Sequence, residues 1–394
     1  MVPKGWEKNS LDSLFEFKNG LNTEKEQYGN GYKFVNVMDV FRNDILTESK
    51  IIGRVQVTDK QLEGYQLKYG DVLFNRTSET FDEIAIAAIY LDNAIATFGG
   101  FVIRARPKGN QIDPAYSVFL FQSKSYRSQV VKLGQGAIRA NIGQKDLARV
   151  CILVPPLAEQ KKIAQILSTW DKAISVTEKL LTNSQQQKKA LMQQLLTGKK
   201  RLLDERGGRY GGEWHRAELG AVLDYMQPTP YLVDSTDYND SYSIPVLTAG
   251  KSFILGYTNE EHGIYHAPLP AIIFDDFTTD SKFVDFEFKA KSSAMKILTA
   301  KKGVSAKYIF EAMQMLKFKI GGHQRHWISI YSNLVIPIPD AKEQQKIAAV
   351  LSAADAEIST LEKKLACLKD EKKALMQQLL TGKRRVKIDE AVAA

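Results

Sequence analysis

Apolar side chains return alternately every four and every three residues along two long stretches of the chain. The first series runs Ile163, Leu167, Trp170, Ile174, Thr177, Leu181, Ser184, Lys188, Leu191 and Leu195. The second runs Ile347, Leu351, Ala354, Ile358, Leu361, Leu365, Leu368, Lys372, Leu375 and Leu379. A mean spacing of 3.5 residues, held for about five heptads, is the seam of a coiled coil. Each stretch predicts a helix of roughly 40 residues, about 60 Å long. Pro155 and Pro339 precede the two helices, and Asp340 with Glu343 has the spacing of a capping box. Gly198 and Gly382 stand where a left-handed C-terminal residue belongs. Lys188 and Lys372 interrupt the seams at equivalent places, either to fix the register or as lysines snorkelling from the seam edge.

The two stretches are copies of one another. Lys188–Lys199 reappears letter for letter as Lys372–Lys383, and 27 of 47 positions agree between Pro155–Arg201 and Pro339–Arg385. The shared residues include Glu159-Gln160 with Glu343-Gln344, Ile163-Ala164 with Ile347-Ala348, and Asp171 with Asp355. An internal repeat means two equivalent units, each a variable block followed by a near-constant helix. The two seams should pair with each other within the chain, antiparallel, which relates the halves by a pseudo-twofold axis and sends the variable blocks to opposite ends. A zipper between two chains is the competing use. Solvated faces are expected at Lys161, Lys162, Lys179 and Gln185–Gln187 on one helix, and at Glu357, Lys363, Lys364 and Asp370 on the other. The identity of Met192-Gln-Gln-Leu-Leu196 with its copy extends beyond seam positions, which suits two equivalent surfaces docking the same partner twice.

The variable blocks align more loosely. Trp6 corresponds to Trp214, each ahead of a short helix or turn, and Tyr69–Phe74 to Leu269–Phe274, a turn feeding a buried strand. Phe101–Arg104 and Met295–Leu298 read as equivalent strands, and Tyr116–Gln129 and Tyr308–Leu316 as late helices. Glycine-bearing polar loops, Gly134–Asn141 and Gly321–His326, precede the last strand of each block. A common framework with unlike loops suits recognition of unlike targets. The loops carry side chains that suit base edges: Arg76, Thr77, Ser78, Arg139 and Asn141 in the first block. The second offers Thr248, Lys251, Thr278, Lys282, His323, Gln324, Arg325 and His326. Arginine forks match guanine O6/N7, and amides match adenine. For any one of these residues an ordinary loop hydrogen bond is the plain alternative.

Charge qualifies this picture. The net +9 suggests an anionic partner, but the surplus sits mainly in the repeated helices. Residues 1–157 hold 20 basic and 17 acidic side chains, and residues 202–341 hold 14 and 17. The helical segments 158–201 and 342–387 are +6 and +5, and residues 388–394 are −2. No apolar run approaches the roughly 20 residues of a membrane span, and the start lacks a secretory core, so a cytoplasmic protein without membrane contact is expected. Two separated cysteines, Cys151 and Cys367, predict free thiols and no structural zinc.

Catalytic motifs are wanting. Val154-Pro-Pro-Leu157 lacks the polar and aromatic ends of an adenine-methyltransferase loop. Thr248-Ala-Gly-Lys-Ser252 mimics the end of a phosphate loop, but Pro245 replaces its first glycine. Asp275, Asp276, Asp280, Asp285 and Glu287 resemble a nuclease cluster only superficially, since no lysine has the matching spacing. His323 and His326 lack an evident third metal ligand. A self-contained nuclease or methyltransferase is therefore disfavoured, and a coiled-coil adaptor without nucleic acid is the other rival.

With these residues assembled, the whole chain resembles the specificity subunits of type I restriction-modification enzymes. The resemblance rests on the Pro-Pro-Leu-Ala-Glu159-Gln160-Lys-Lys-Ile163-Ala164 helix start, its copy at Glu343–Ala348, and the duplicated Leu-Leu-Thr-Gly ends. It implies an α+β chain of two mixed α/β target-recognition domains, 1–157 and 202–341. Spacer helices 158–201 and 342–387 separate them as an intramolecular antiparallel coiled coil, and 388–394 is a flexible tail. It further implies a non-catalytic subunit reading the two halves of an interrupted sequence in double-stranded DNA. Two modification subunits would carry S-adenosylmethionine and methylate adenine N6; restriction or motor subunits would use ATP and Mg. No cofactor or metal is expected on this chain itself. The acidic second block departs from a simple basic DNA-binding patch.

Overall fold

The computed structural model describes residues 2–248, 252–316 and 326–388. The repeated stretches are two helices of 39 residues, Leu157–Leu195 and Ala341–Leu379. Both boundaries agree with the punctuation in the sequence. Gly198 and Gly382 adopt φ of +72° and +67°. Beyond them, the amides of Lys200 and Arg384 return to the carbonyls of Gln194 and Gln378, the bonds that close a helix end of this kind. At the start of the second helix, Asp340 accepts from the Glu343 amide at 3.0 Å. The Glu343 side chain does not reciprocate, because it is committed elsewhere, so the expected capping box is half formed.

The chain divides into two compact units, Met1–Thr177 with Lys364–Ala394, and Glu178–Lys363. Each unit therefore holds one variable block with part of both long helices, rather than a block apart from its rods. Within each unit the helices run antiparallel. In the first, Asp171 pairs with Lys372 and Glu159 with Arg385. In the second, Ser184 donates to Glu357 at 2.9 Å and Lys188 meets Asp355 at 2.6 Å. Glu357 thus faces the neighbouring helix and not open solvent alone.

All sixteen apolar seam positions singled out in the sequence are buried or half-buried. Ile163, Leu167 and Leu379 belong to the first unit's core, and Leu195, Ile347 and Leu351 to the second's. Trp170, Ile174, Leu181, Leu191, Ala354, Ile358, Leu361, Leu365, Leu368 and Leu375 are half-buried along the remaining seam. The fully buried ends contribute most, about 1.5–3 kcal/mol for each large aliphatic side chain withdrawn from water.

The first variable block is built on a five-stranded sheet in the order Phe15–Asn19, Val102–Pro107, Val72–Asn75, Ala87–Tyr90, Ile45–Leu46. Strand alternation sends Phe74 and Ile103 to a core shared with the long helices, and Leu73 and Val102 to a second, smaller core. The second block repeats this with Leu223–Met226, Met295–Ala300, Ala271–Asp275 and Ser281–Val284. In each unit an N-terminal strand pairs with the strand entering the long helix: Glu7–Ser10 with Cys151–Val154, and His215–Glu218 with Val335–Ile338.

One sequence expectation about the elements needs correction. The predicted helix Tyr116–Gln129 is two, Pro114–Leu120 and Lys124–Leu133, because Ser123 caps a new helix by accepting from the Tyr126 amide. Phe101–Arg104 and Met295–Leu298 fall on strands as read, Val102–Pro107 and Met295–Ala300, and shared neighbours fix which of their positions are equivalent. Leu73 pairs with Arg104, and its counterpart Ile273 pairs with Ile297. A slip of one residue exchanges the two faces of a strand, so pattern matching alone could not set it.

Candidate nucleic-acid interface

In the first unit the fold brings together loop residues more than 60 positions apart in sequence. Thr77–Ser78 and Ala140–Asn141 form a two-stranded antiparallel ribbon, with Asn141 opposite Thr77 and Ala140 opposite Ser78. The Ile142 amide extends it by donating to the Arg76 carbonyl at 3.0 Å. A tight bridge between Gln135 and Asn141 shapes the returning loop. Gly136, at φ +126°, is required there: a Cβ would lie 2.1 Å from the Arg139 carbonyl oxygen.

Arg76 and Arg139 project from this ribbon into solvent. Asn141 is exposed, although its amide donates to the Arg139 carbonyl at 3.0 Å. Thr77 is half-buried. Ser78 is buried, and its hydroxyl accepts from the Thr80 amide at 3.2 Å, which makes it a turn former. Beside the ribbon lies a cleft of about 590 Å³ lined by Thr77, Ser78, Arg139, Met38, Phe41 and Glu79, among others. Sequence reading passed over Ile138, which is 92% exposed between Ala137 and Arg139. It passed over Phe101 too, which is 64% exposed and whose carbonyl accepts from the Arg76 amide. An isoleucine in a glycine-flanked polar loop was the available signal.

The second unit has no equivalent ribbon among its described residues. Where the first chain segment reads Asn75-Arg76, it reads Asp275-Asp276. Asp275 caps a turn through the amides of Phe277 and Thr278. Asp276 accepts from the Trp327 amide at 2.8 Å and faces Lys296 at 3.2 Å. Both carboxylates are thus engaged in holding the fold. Thr278 is exposed in that turn, and Lys282 is half-buried on the edge strand Ser281–Val284. Thr248 is half-buried and donates to the Ser252 carbonyl at 2.8 Å. Lys251, His323, Gln324 and Arg325 lie outside the described residues.

His326 is a clear correction. It was expected in a polar loop, but it is fully buried at the head of the helix His326–Ser329. Its amide donates to the Asp276 carbonyl, and its ring Nδ1 lies 2.9 Å from the same oxygen. The cause is its neighbour: Trp327 packs at 5.3 Å from the Phe274 ring and draws the helix start into the core. Another acidic group, Asp234, Glu260 and His262, is a loop clasp. Glu260 accepts from the amides of Asp234 and Ser235 and from Lys289 at 2.6 Å.

The repeated residues form one device twice. In the first unit the Trp6 indole and the Arg385 guanidinium converge on the buried carboxylate of Glu159, at 3.0 Å and 2.7 Å. In the second, Trp214 and Arg201 converge on Glu343 at 3.0 Å and 2.7 Å. Donating to these carboxylates raises the pKa of Arg385 and of Arg201. The next residue joins block to helix: Gln160 accepts from the Asp113 amide, and Gln344 from the Ser305 amide. These contacts account for the Glu-Gln identity. They do not account for Lys189, Gln193 and Gln194, which are exposed in the first helix, as are the identical Lys373, Gln377 and Gln378 in the second.

Comparison with known proteins agrees with this architecture. The sequence profile described as "Type I restriction modification DNA specificity domain" matches residues 3–183 and 212–369. The specificity subunit of the Escherichia coli type I restriction enzyme EcoR124I/EcoR124II is 54% identical over 145 residues. That match spans 36% of this chain and 35% of the relative. The putative MjaX specificity subunit of Methanocaldococcus jannaschii is 26% identical over 98% of this chain and 95% of its own. Among solved structures, the S subunit of a type I restriction-modification system from M. genitalium superposes with a TM-score of 0.65. It covers 96% of both chains at 15% identity, a likeness of fold.

Proposed function

The chain belongs to the type I restriction-modification DNA specificity family, and from that premise we propose that each unit reads one half of a bipartite target in double-stranded DNA. The carrying observation is one framework with two unlike sets of loops. Both units repeat the Trp-Glu-Arg clasp and the closing strand pair, and each holds a central, mainly antiparallel sheet. The arginine-bearing ribbon belongs to the first alone among the described residues. A two-stranded ribbon fits the major groove, where Arg76 and Arg139 can donate to guanine.

The subunit is the non-catalytic reader of its complex. In this reading the paired helices set the gap between half-sites. The identical exposed faces around Lys189–Gln194 and Lys373–Gln378 dock two modification subunits. S-adenosylmethionine belongs to those subunits, and ATP with Mg to any restriction subunits.

The test is selection of a randomised duplex pool by the chain assembled with its modification subunits. Recovered sequences should show two fixed blocks separated by a constant run of unspecified letters. A single uninterrupted block, or no enrichment at all, would overturn the reading.

A further inference from the structure

Away from the ribbon, the first unit holds a cation whose charge is poorly compensated. Arg104 is 3% exposed on the strand Val102–Pro107, and its side chain donates no hydrogen bond among the described residues. Its nearest carboxylate, the exposed Glu16, lies 3.9 Å away, beyond hydrogen-bonding distance. Lys289 and Lys296, also buried, each have a carboxylate closer, at 2.6 Å and 3.2 Å. Arg104 instead sits over the Phe98 ring at 5.7 Å.

The surroundings add positive charge. Lys18 lies directly across the strand pair from Arg104, with its ammonium 4.4 Å over the Tyr65 ring. Like charges facing each other across a sheet are destabilising. Arg106, two residues on, is already matched by Asp71 through a bidentate pair at 2.8 Å and 2.7 Å. Burial and the neighbouring Arg106 pull the pKa of Arg104 down, and the opposing attraction of Asp71 and Glu16 does not restore it. All three cations line one open cleft of about 740 Å³.

The framework does not demand this arrangement. In the second unit the same register positions hold Met226 and Ile297, paired across the equivalent strands. An apolar pair is therefore compatible with this sheet.

We propose that Arg104 and Lys18 form a binding site for a phosphate group. An entering phosphate oxygen would accept from the guanidinium and from the ammonium, and supply the counter-charge that Glu16 does not. Phosphate can come from the DNA backbone or from a free anion. Arg104 is three residues from Phe101, whose carbonyl holds the Arg76 amide, so the cleft begins about 10 Å along the strand from the ribbon root. That is within the roughly 12 Å width of a major groove, which favours a backbone phosphate flanking the bases that the ribbon reads. This source rests on the DNA-recognition reading above; the site itself does not.

Arg104→Ile and Lys18→Met, which copy the second unit, test it in the assembled complex. In the DNA arm, Arg104→Ile should weaken cognate and unrelated duplexes by the same factor, about tenfold at 0.15 M salt, and reduce the slope of log K against log salt by about 1. In the free-anion arm, inorganic phosphate replaces chloride at constant ionic strength. A rise in the melting temperature of the wild type, absent in the variant, would assign the site to a free anion if the DNA arm is unmoved. Folded variants identical to wild type in both arms overturn the proposal. Failure of the wild-type complex to bind any duplex would refute DNA recognition instead, and leave the phosphate arm standing.

Discussion

Arg139 owes its position to the residues around it. Gly136 permits the turn, the Asn141 amide holds the Arg139 carbonyl, and pairing with Thr77–Ser78 fixes the strand from which the guanidinium projects. With its backbone held, the side chain loses less freedom on forming a two-pronged contact. Arg139→Ala should therefore cost about 1–3 kcal/mol at a single base pair of one half-site, and leave the other half-site's preferences intact. Dissociation constants across single-substituted duplexes would show it. Equal losses at every position would mean that Arg139 holds the backbone and reads no base. Ser78 and His326 belong to the same scale with the opposite outcome, since both are polar residues taken up in making the fold.

At the scale of elements, the two long helices are registered by one ion pair written twice. The sequence carries an Asp and a Lys at equivalent places in each copy, and each lysine meets the other helix's aspartate: Lys188 with Asp355, and Lys372 with Asp171. Only an antiparallel pairing brings both about. In the second unit Lys307 joins, at 2.8 Å from Asp355 and 2.7 Å from the buried Glu311. Burial opposes ionisation of Asp355, but hydrogen bonds from Lys188 and Lys307 outweigh it and hold its pKa below the usual 3.8. A carboxylate with a lowered folded pKa stabilises above its unfolded value, and that contribution fades as pH falls towards the folded one. Asp355→Asn should thus lower the melting temperature at pH 7, and the gap to wild type should narrow below about pH 4. A gap that is the same at pH 7 and pH 3 would rule out this linkage.

At the scale of the whole molecule, the proposal that paired helices set the gap can be measured in base pairs. Removing one heptad from each long helix shortens it by about 10 Å at 1.5 Å per residue. At about 3.4 Å per base pair, the preferred interval between half-sites should shorten by about three base pairs, with the half-site letters unchanged. Sequencing of bound or methylated sites reads both at once. An unaltered interval would disprove the spacer role. Charge belongs to this scale as well. The second variable block is acidic, with 14 basic against 17 acidic residues, so the chain's positive surplus lies in the helices and the first block.

What the sequence by itself determined was whatever depends on period and repetition. The heptads, the offset of 184, the glycine helix ends and the sharing of one framework were all legible, because local spacing dictates which face of a helix is apolar. The role of Lys188 and Lys372 as partners of Asp355 and Asp171 was open in the sequence, since a lysine at a seam looks the same whether it snorkels or pairs. Tertiary structure alone decided the rest. It joined Arg76–Ser78 to Arg139–Asn141, set the one-residue register that places Arg104 against Lys18, and drew His326 inward behind Trp327. Each of these depends on contacts between residues distant in the chain, and a polar residue carries the same letter whether it faces solvent or the core.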